Sequence, residues 1–144
     1  RSYSVTGVQT CALPISYAEL FAGTGRNPDV ARRTLDHQVE QILRARRAGV
    51  TVALGTDSGS PGVHHGAAVI AEMKLLIQAG YSIEGAIRCA SRIGAALWEG
   101  REGLLAPGRP ATFVAVSGNP CGLPESLASV RAVFIDGLQQ FAAG

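Results

Sequence analysis

The sequence has little that would place it with charged surfaces, membranes or cofactors. Its formal net charge is only +2 over 144 residues, with no basic stripe and no acidic tail. Nothing in that balance points to nucleic acid or an anionic membrane surface as a partner. Every apolar run is broken by Gly, Arg, Glu or Lys well before the ~18 residues that a membrane-spanning helix needs. Cysteine is scarce and scattered: Cys11, Cys89 and Cys121 show no metal-ligand spacing. An odd, dispersed set argues against a disulfide framework and fits a reducing cytoplasm, with each thiol read as a small buried hydrophobe. No repeat or low-complexity tract is present. No glycine fingerprint follows a strand at the spacing dinucleotide binding requires, which argues against an NAD-type fold. The length suits one domain, or a piece of one, with a sizeable core, and falls short of the ~250 residues of a complete α/β barrel.

What is present centres on Gly49 to Gly59, followed by Gly62-Val63-His64-His65-Gly66. Val50 to Leu54 is apolar at nearly every position, so it cannot alternate between core and solvent. The pattern predicts a strand covered on both faces, as in parallel sheets flanked by helices. In such folds the ligand site lies at the carboxyl ends of the strands, and Asp57 falls there. Two roles are open to Asp57 on spacing alone: a local acceptor capping the next turn, or a functional carboxylate.

The remainder reads in order. Asn27 is a predicted N-cap with Pro28 at the first helical position and Asp29 in the first turn. Leu35, Val39, Ile42 and Leu43 then recur at helical spacing up to Gly49. Arg44, Arg46 and Arg47 lie near the end of that helix, where cations suit its dipole. His37 reads as a surface or rim residue. A second helix opens at Gly66 and closes at Gly80, with Val69, Met73, Leu76 and Ile77 inward and Glu72 and Lys74 off that face. Ser82 is a predicted N-cap for a third helix, with Ile83, Ala86, Ile87, Ala90, Ile93, Gly94 and Leu97 inward. Met73 and Trp98 read as core residues. From Gly103 the pattern changes: Ala111 to Val116 and Val130 to Ile135 are strand-like, and Asp136-Gly137 is a hairpin signal before a return strand at Leu138 to Phe141.

Four segments in this order resemble the C-terminal part of metal-dependent amidohydrolases, in the imidazolonepropionase-like and dipeptidase-like branch. They are Ala53 to Gly59; His65-Gly66 opening a helix that ends Ile77-Gln78-Ala79-Gly80; Glu84 to Ala90 continuing to Ala95-Ala96-Leu97; and Gly103 to Arg109. Phe113 to Val116 and Val133 to Gly137 also fit. The resemblance implies an α/β fold in which 17–102 is the last portion of a (β/α)8 TIM-type barrel and 103–144 supplies strands of a small β-sandwich. Residues 1–16 do not fit it. Val5 to Ser16 resembles a translated sequencing-library adaptor, so this segment is set apart as an artefact joined at about Tyr17.

By that resemblance Asp57 ends the eighth barrel strand, binds a divalent metal, expected to be zinc, and handles the proton of the water that attacks an amide carbonyl. His65, Ser58 and Gly59 would face substrate or support the site, while His64 reads as a loop or helix-cap residue. The family's other ligands, several histidines and a bridging group, would lie upstream of Tyr17. One carboxylate does not hold a catalytic zinc, which takes about three protein ligands, so the chain by itself is expected to be inactive. Thr112 stands where the family usually has an aspartate. The implied parent is a cytoplasmic hydrolase of carbon–nitrogen bonds acting on a small-molecule substrate, with a homo-oligomer left open. The alternative is a non-catalytic module that binds a small ligand or a protein.

Overall fold

The computed structural model describes residues 28–60 and 63–144. The predicted cap at Asn27 and the segment 1–16 lie outside the described residues. Helix α1 spans Pro28–Arg47, with Asp29 in its first turn and Arg44, Arg46 and Arg47 in its last, each sign placed where the helix dipole favours it. Its apolar stripe reaches the core through Ile42, against which Val39 and Leu43 pack. The helix stops at Gly49 (φ 73°). There Val50 N–H donates to Ala45 O and Gly49 N–H to Arg46 O, the paired bonds of a Schellman end.

Helix α2 spans Ala67–Gln78 and closes the same way, with Tyr81 N–H donating to Leu76 O and Gly80 N–H to Ile77 O. Helix α3, Ile83–Arg88, starts at the predicted cap: the Ser82 hydroxyl accepts Gly85 N–H at 3.1 Å. It runs on through a π turn, Cys89–Ile93, into a last α turn, α4, Gly94–Leu97. Ile42, Val52, Met73, Leu76, Ala79, Ala86 and Cys89 form the main core. Burial of each of the larger side chains, Ile42, Val52, Met73 and Leu76, contributes roughly 1.5–3 kcal/mol.

Three strands follow: β1 (Phe113–Val116), β2 (Val130–Ile135) and β3 (Leu138–Ala142), antiparallel in the order β1-β2-β3. Phe113 pairs with Phe134, their rings stacked with centroids 4.6 Å apart. Asp136 (φ 50°) and Gly137 (φ 80°) make the predicted tight turn. Thr112 has a clear local task, since its hydroxyl accepts Asp136 N–H at 3.1 Å and ties the start of β1 to that turn. Between β1 and β2 a 3₁₀ turn, Glu125–Ala128, docks on α2. Leu127 packs against the core, and Lys74 Nζ lies 3.0 Å from Glu125 Oε1.

Five expectations are corrected. Val50 to Leu54 is extended but forms no ladder among the described residues: Val52 is buried to 2% exposure while Thr51 is exposed. A strand needs a neighbour, and the bonds here go to helical carbonyls instead, Val50 N–H to Ala45 O and Leu54 N–H to Cys89 O. Glu72, expected off the apolar face, is at 0% exposure, because α2 is covered on more of its circumference than one stripe. Trp98 is 87% exposed rather than core, since it follows the last helical turn, where the chain leaves the packed face. Leu97, one residue earlier, is also exposed. Cys121 is exposed within a 3₁₀ turn, Pro120–Gly122, whereas Cys89 is buried as expected.

Candidate functional site

The extended segment delivers Asp57 to the surface in the left-handed region, φ 50°, a conformation that Asp tolerates better than most residues. Two hydrogen bonds close the loop behind it: Ser60 N–H donates to Asp57 O at 3.3 Å, and the Ser60 hydroxyl to Asp57 Oδ2 at 3.0 Å. The carboxylate thus takes a hydroxyl, while the backbone carbonyl takes the amide of the turn. Thr56 Oγ1 and Ser58 Oγ share a 2.7 Å hydrogen bond, and Thr56 Oγ1 also accepts Ser58 N–H at 3.3 Å. Gly59 N–H donates to Val63 O and Val63 N–H to Ser60 O, bringing the chain back toward α2.

His65 returns to this loop. A Cβ built on Gly59 (φ 107°) would stand 3.9 Å from His65 Nε2, so the imidazole lies against the backbone at Gly59, two residues after Asp57. Its neighbour His64 acts through its backbone: His64 O accepts Ala68 N–H and His65 O accepts Ala67 N–H, which starts α2. Both rings are exposed. The structure therefore brings Asp57, Ser58, Gly59 and His65 into one loop cluster. Sequence reasoning missed Thr56 and Ser60, whose spacing one before and three after Asp57 is a turn signal available from the sequence.

Beside this cluster, starting at Gly66 and Ala67, opens a cleft of about 700 Å³ between α2, the third helix and β1. Val69, Met73, Ile87, Leu105 and Phe113 make its walls mainly apolar. Cys89 is buried in the core and Tyr81 is half-buried under Arg46, and burial pushes both the thiol and the phenol above their ordinary pKa values, with Arg46 partly opposing the effect at Tyr81. Cys89 is therefore a packing residue rather than a nucleophile.

Among the described residues, no three His, Cys, Asp or Glu side chains converge as a metal would require. One carboxylate and one nearby imidazole do not amount to a catalytic metal centre on their own.

Comparison with known proteins places these features in context. No curated protein matches the chain. Among solved structures, the chain superposes on an amidohydrolase at TM-score 0.70 with 22% identity, covering 96% of this chain and 35% of that one. It superposes on A. niger ochratoxinase at 0.70 with 24% identity, covering 95% and 33%. A Xaa-Pro dipeptidase with methionine bound in its active site is similar at 0.68 with 27% identity, over 90% and 34%. The chain thus spans about a third of the length of the structures it matches. Residues 4–139 match the amidohydrolase family throughout, and the chain belongs to that family.

Proposed function

We propose that this chain is the C-terminal part of a hydrolase of carbon–nitrogen bonds, acting on an amide, cyclic amide or dipeptide-like substrate. The observation that carries the reading is the position of Asp57: an exposed carboxylate just after an extended segment anchored in the core by Val52, in a loop whose Gly59 lies against His65, in a chain matching the amidohydrolase family over 4–139. The similarity to a dipeptidase supports amide-type chemistry. In this reading 17–102 belongs to a TIM-type barrel and 103–144 to a β-sandwich.

Asp57 accepts a proton from the water that attacks the carbonyl and returns it to the leaving nitrogen, a task for which a positioned carboxylate serves well. Ser60 holds one carboxylate oxygen at 3.0 Å and so fixes the direction of the other. His65, Ser58 and Gly59 border the substrate, and His64 keeps the helix start in place. We assign the parent a divalent metal, zinc, by family resemblance. The described residues do not by themselves fit such a centre, and the chain alone is expected to be inactive. The parent is placed in the cytoplasm.

Re-amplifying the locus and reading upstream of Tyr17 tests both the parent and the artefact reading of 1–16. The family match itself begins at residue 4, inside that segment, so this sequence decides the boundary. The intact product, supplied with zinc, is expected to hydrolyse a cyclic amide or a dipeptide. No turnover on either class contradicts the proposal. One observation favours a second reading, a small-ligand-binding module: an open, mainly apolar cleft of about 700 Å³ is lined by the described residues. A cooperative, monomeric melt of Tyr17 to Gly144 that shifts upward with an apolar ligand would support it.

A further inference from the structure

The third helix is not regular. Between α3 and α4 the five residues Cys89–Ile93 form a π turn, a form that occurs mostly as single turns inside α-helices and frequently near functional sites. Two contacts converge on it. From one element, Leu54 N–H donates to the buried Cys89 carbonyl at 3.0 Å. A carbonyl has two lone pairs and can serve the helix and an outside donor together. This bond anchors the extended segment three residues before Asp57.

From another element, Gly103 (φ 75°) rests against the same turn. A Cβ there would stand 2.5 Å from Arg92 N, 2.6 Å from Ser91 C and 2.7 Å from Arg92 Cα. Those atoms are backbone, so no side chain can move aside to admit it, and any larger residue displaces the turn. Within the turn the Ser91 hydroxyl donates to Ile87 O at 2.6 Å, a back-bond of the kind that bends helices.

We propose that Gly103 is a positioning residue for Asp57. By lying against the Ser91–Arg92 backbone it sets the π turn, and the Cys89 carbonyl of that turn holds Leu54 and the loop beyond it. The functional meaning, though not the coupling, rests on Asp57 being the reactive carboxylate. A residue in the turn-rich segment after the helices thereby controls a loop nearly fifty positions earlier in the chain.

Gly108 supplies an internal control, because it has nearly the same backbone, φ 76°, with nothing within 4 Å of a built Cβ. Gly108→Ala carries the cost of a left-handed alanine alone, whereas Gly103→Ala adds the clash. In the full 144-residue chain, amide hydrogen exchange and ¹H–¹⁵N spectra are recorded for both. Gly103→Ala is expected to speed exchange of the Leu54 amide about tenfold or more and to move the resonances of Gly55 to Ser60, while Gly108→Ala leaves both as in the parent chain. A Gly103→Ala chain with a lowered melting temperature but an unchanged Leu54 amide and loop overturns the proposal. If Gly103→Ala does not fold, Ser91→Ala perturbs the same turn more gently and should shift the same loop resonances; an unmoved loop is then the contrary result. Neither readout involves turnover, so an inert Asp57 would leave the coupling standing.

Discussion

Leu76 in α2 is at 0% exposure, whereas Leu138 in β3 is 68% exposed, although both are leucines in regular elements. The contrast extends across the two regions. The helices close a core in which Ile42, Val52, Leu76 and Ala86 contact one another from different elements. The sheet, by its register, gathers Val114, Ile135, Leu138 and Phe141 on one face, and all four are exposed. Its other face carries the stacked Phe113 and Phe134 rings. Helices of this length bury their stripes against each other, while a three-stranded sheet has two faces and can cover one by folding onto the helices. The helical region is therefore where stability resides, and the sheet is held to it by the Glu125–Ala128 turn and the edge of the cleft.

Paired substitutions are the sharpest way to break that comparison. Leu76→Ala should cost about 2–5 kcal/mol through the cavity it leaves, read as a large fall in the denaturation midpoint. Leu138→Ser should stay within about 0.5 kcal/mol, as surface changes usually do. Equal losses from the two would show that the sheet is as closed as the helices.

A smaller effect tests the joint between the regions. Glu125 is held below the ordinary carboxylate pKa by its hydrogen bond with Lys74, and Glu84 by the backbone N–H and Ser82 at the start of α3. A carboxyl with a depressed folded pKa stabilises the fold above its unfolded value, near 4.5 for these groups, and loses that contribution as pH falls through the folded value. The melting temperature should accordingly decline as pH drops below about 4.5. Glu125→Gln should flatten part of that decline and leave the plateau near neutral pH almost unchanged, as expected of an exposed pair.

Much of the helical region was legible in the sequence, for reasons that can be named. The 3.6-residue spacing of Leu35, Val39 and Ile42, the Ser82 cap and the stops at Gly49 and Gly80 are local signals, and each element formed where they indicated. The hairpin at Asp136-Gly137 was legible for the same reason. What failed depends on partners distant in sequence. The apolar run at Val50 to Leu54 announces burial, but a strand also needs a neighbour, which no local pattern supplies. Glu72 and Trp98 were misplaced because one face of a helical wheel says nothing about how many neighbours surround it. At the site, the loop bearing Asp57 was legible through its glycines and its carboxylate; His65 lies against Gly59 of that loop, and its role there belongs to the proposal. The spacing of Thr56 and Ser60 around Asp57 was a turn signal that went unread, whereas the π turn at Cys89 had no local signal, since it lies against Gly103, beyond the whole third helix.

The most direct test of the central claim compares two substitutions in the intact protein proposed to contain this chain, scored by kcat/KM on an amide or dipeptide substrate. If Asp57 is the proton-handling carboxylate, Asp57→Ala should lower kcat/KM by about 10²–10⁴-fold, while His64→Ala, at a residue whose hydrogen bond is made by its backbone carbonyl, changes it only a few-fold. An Asp57→Ala enzyme that retains activity comparable to His64→Ala would contradict the account, leaving Asp57 as the closing residue of a turn.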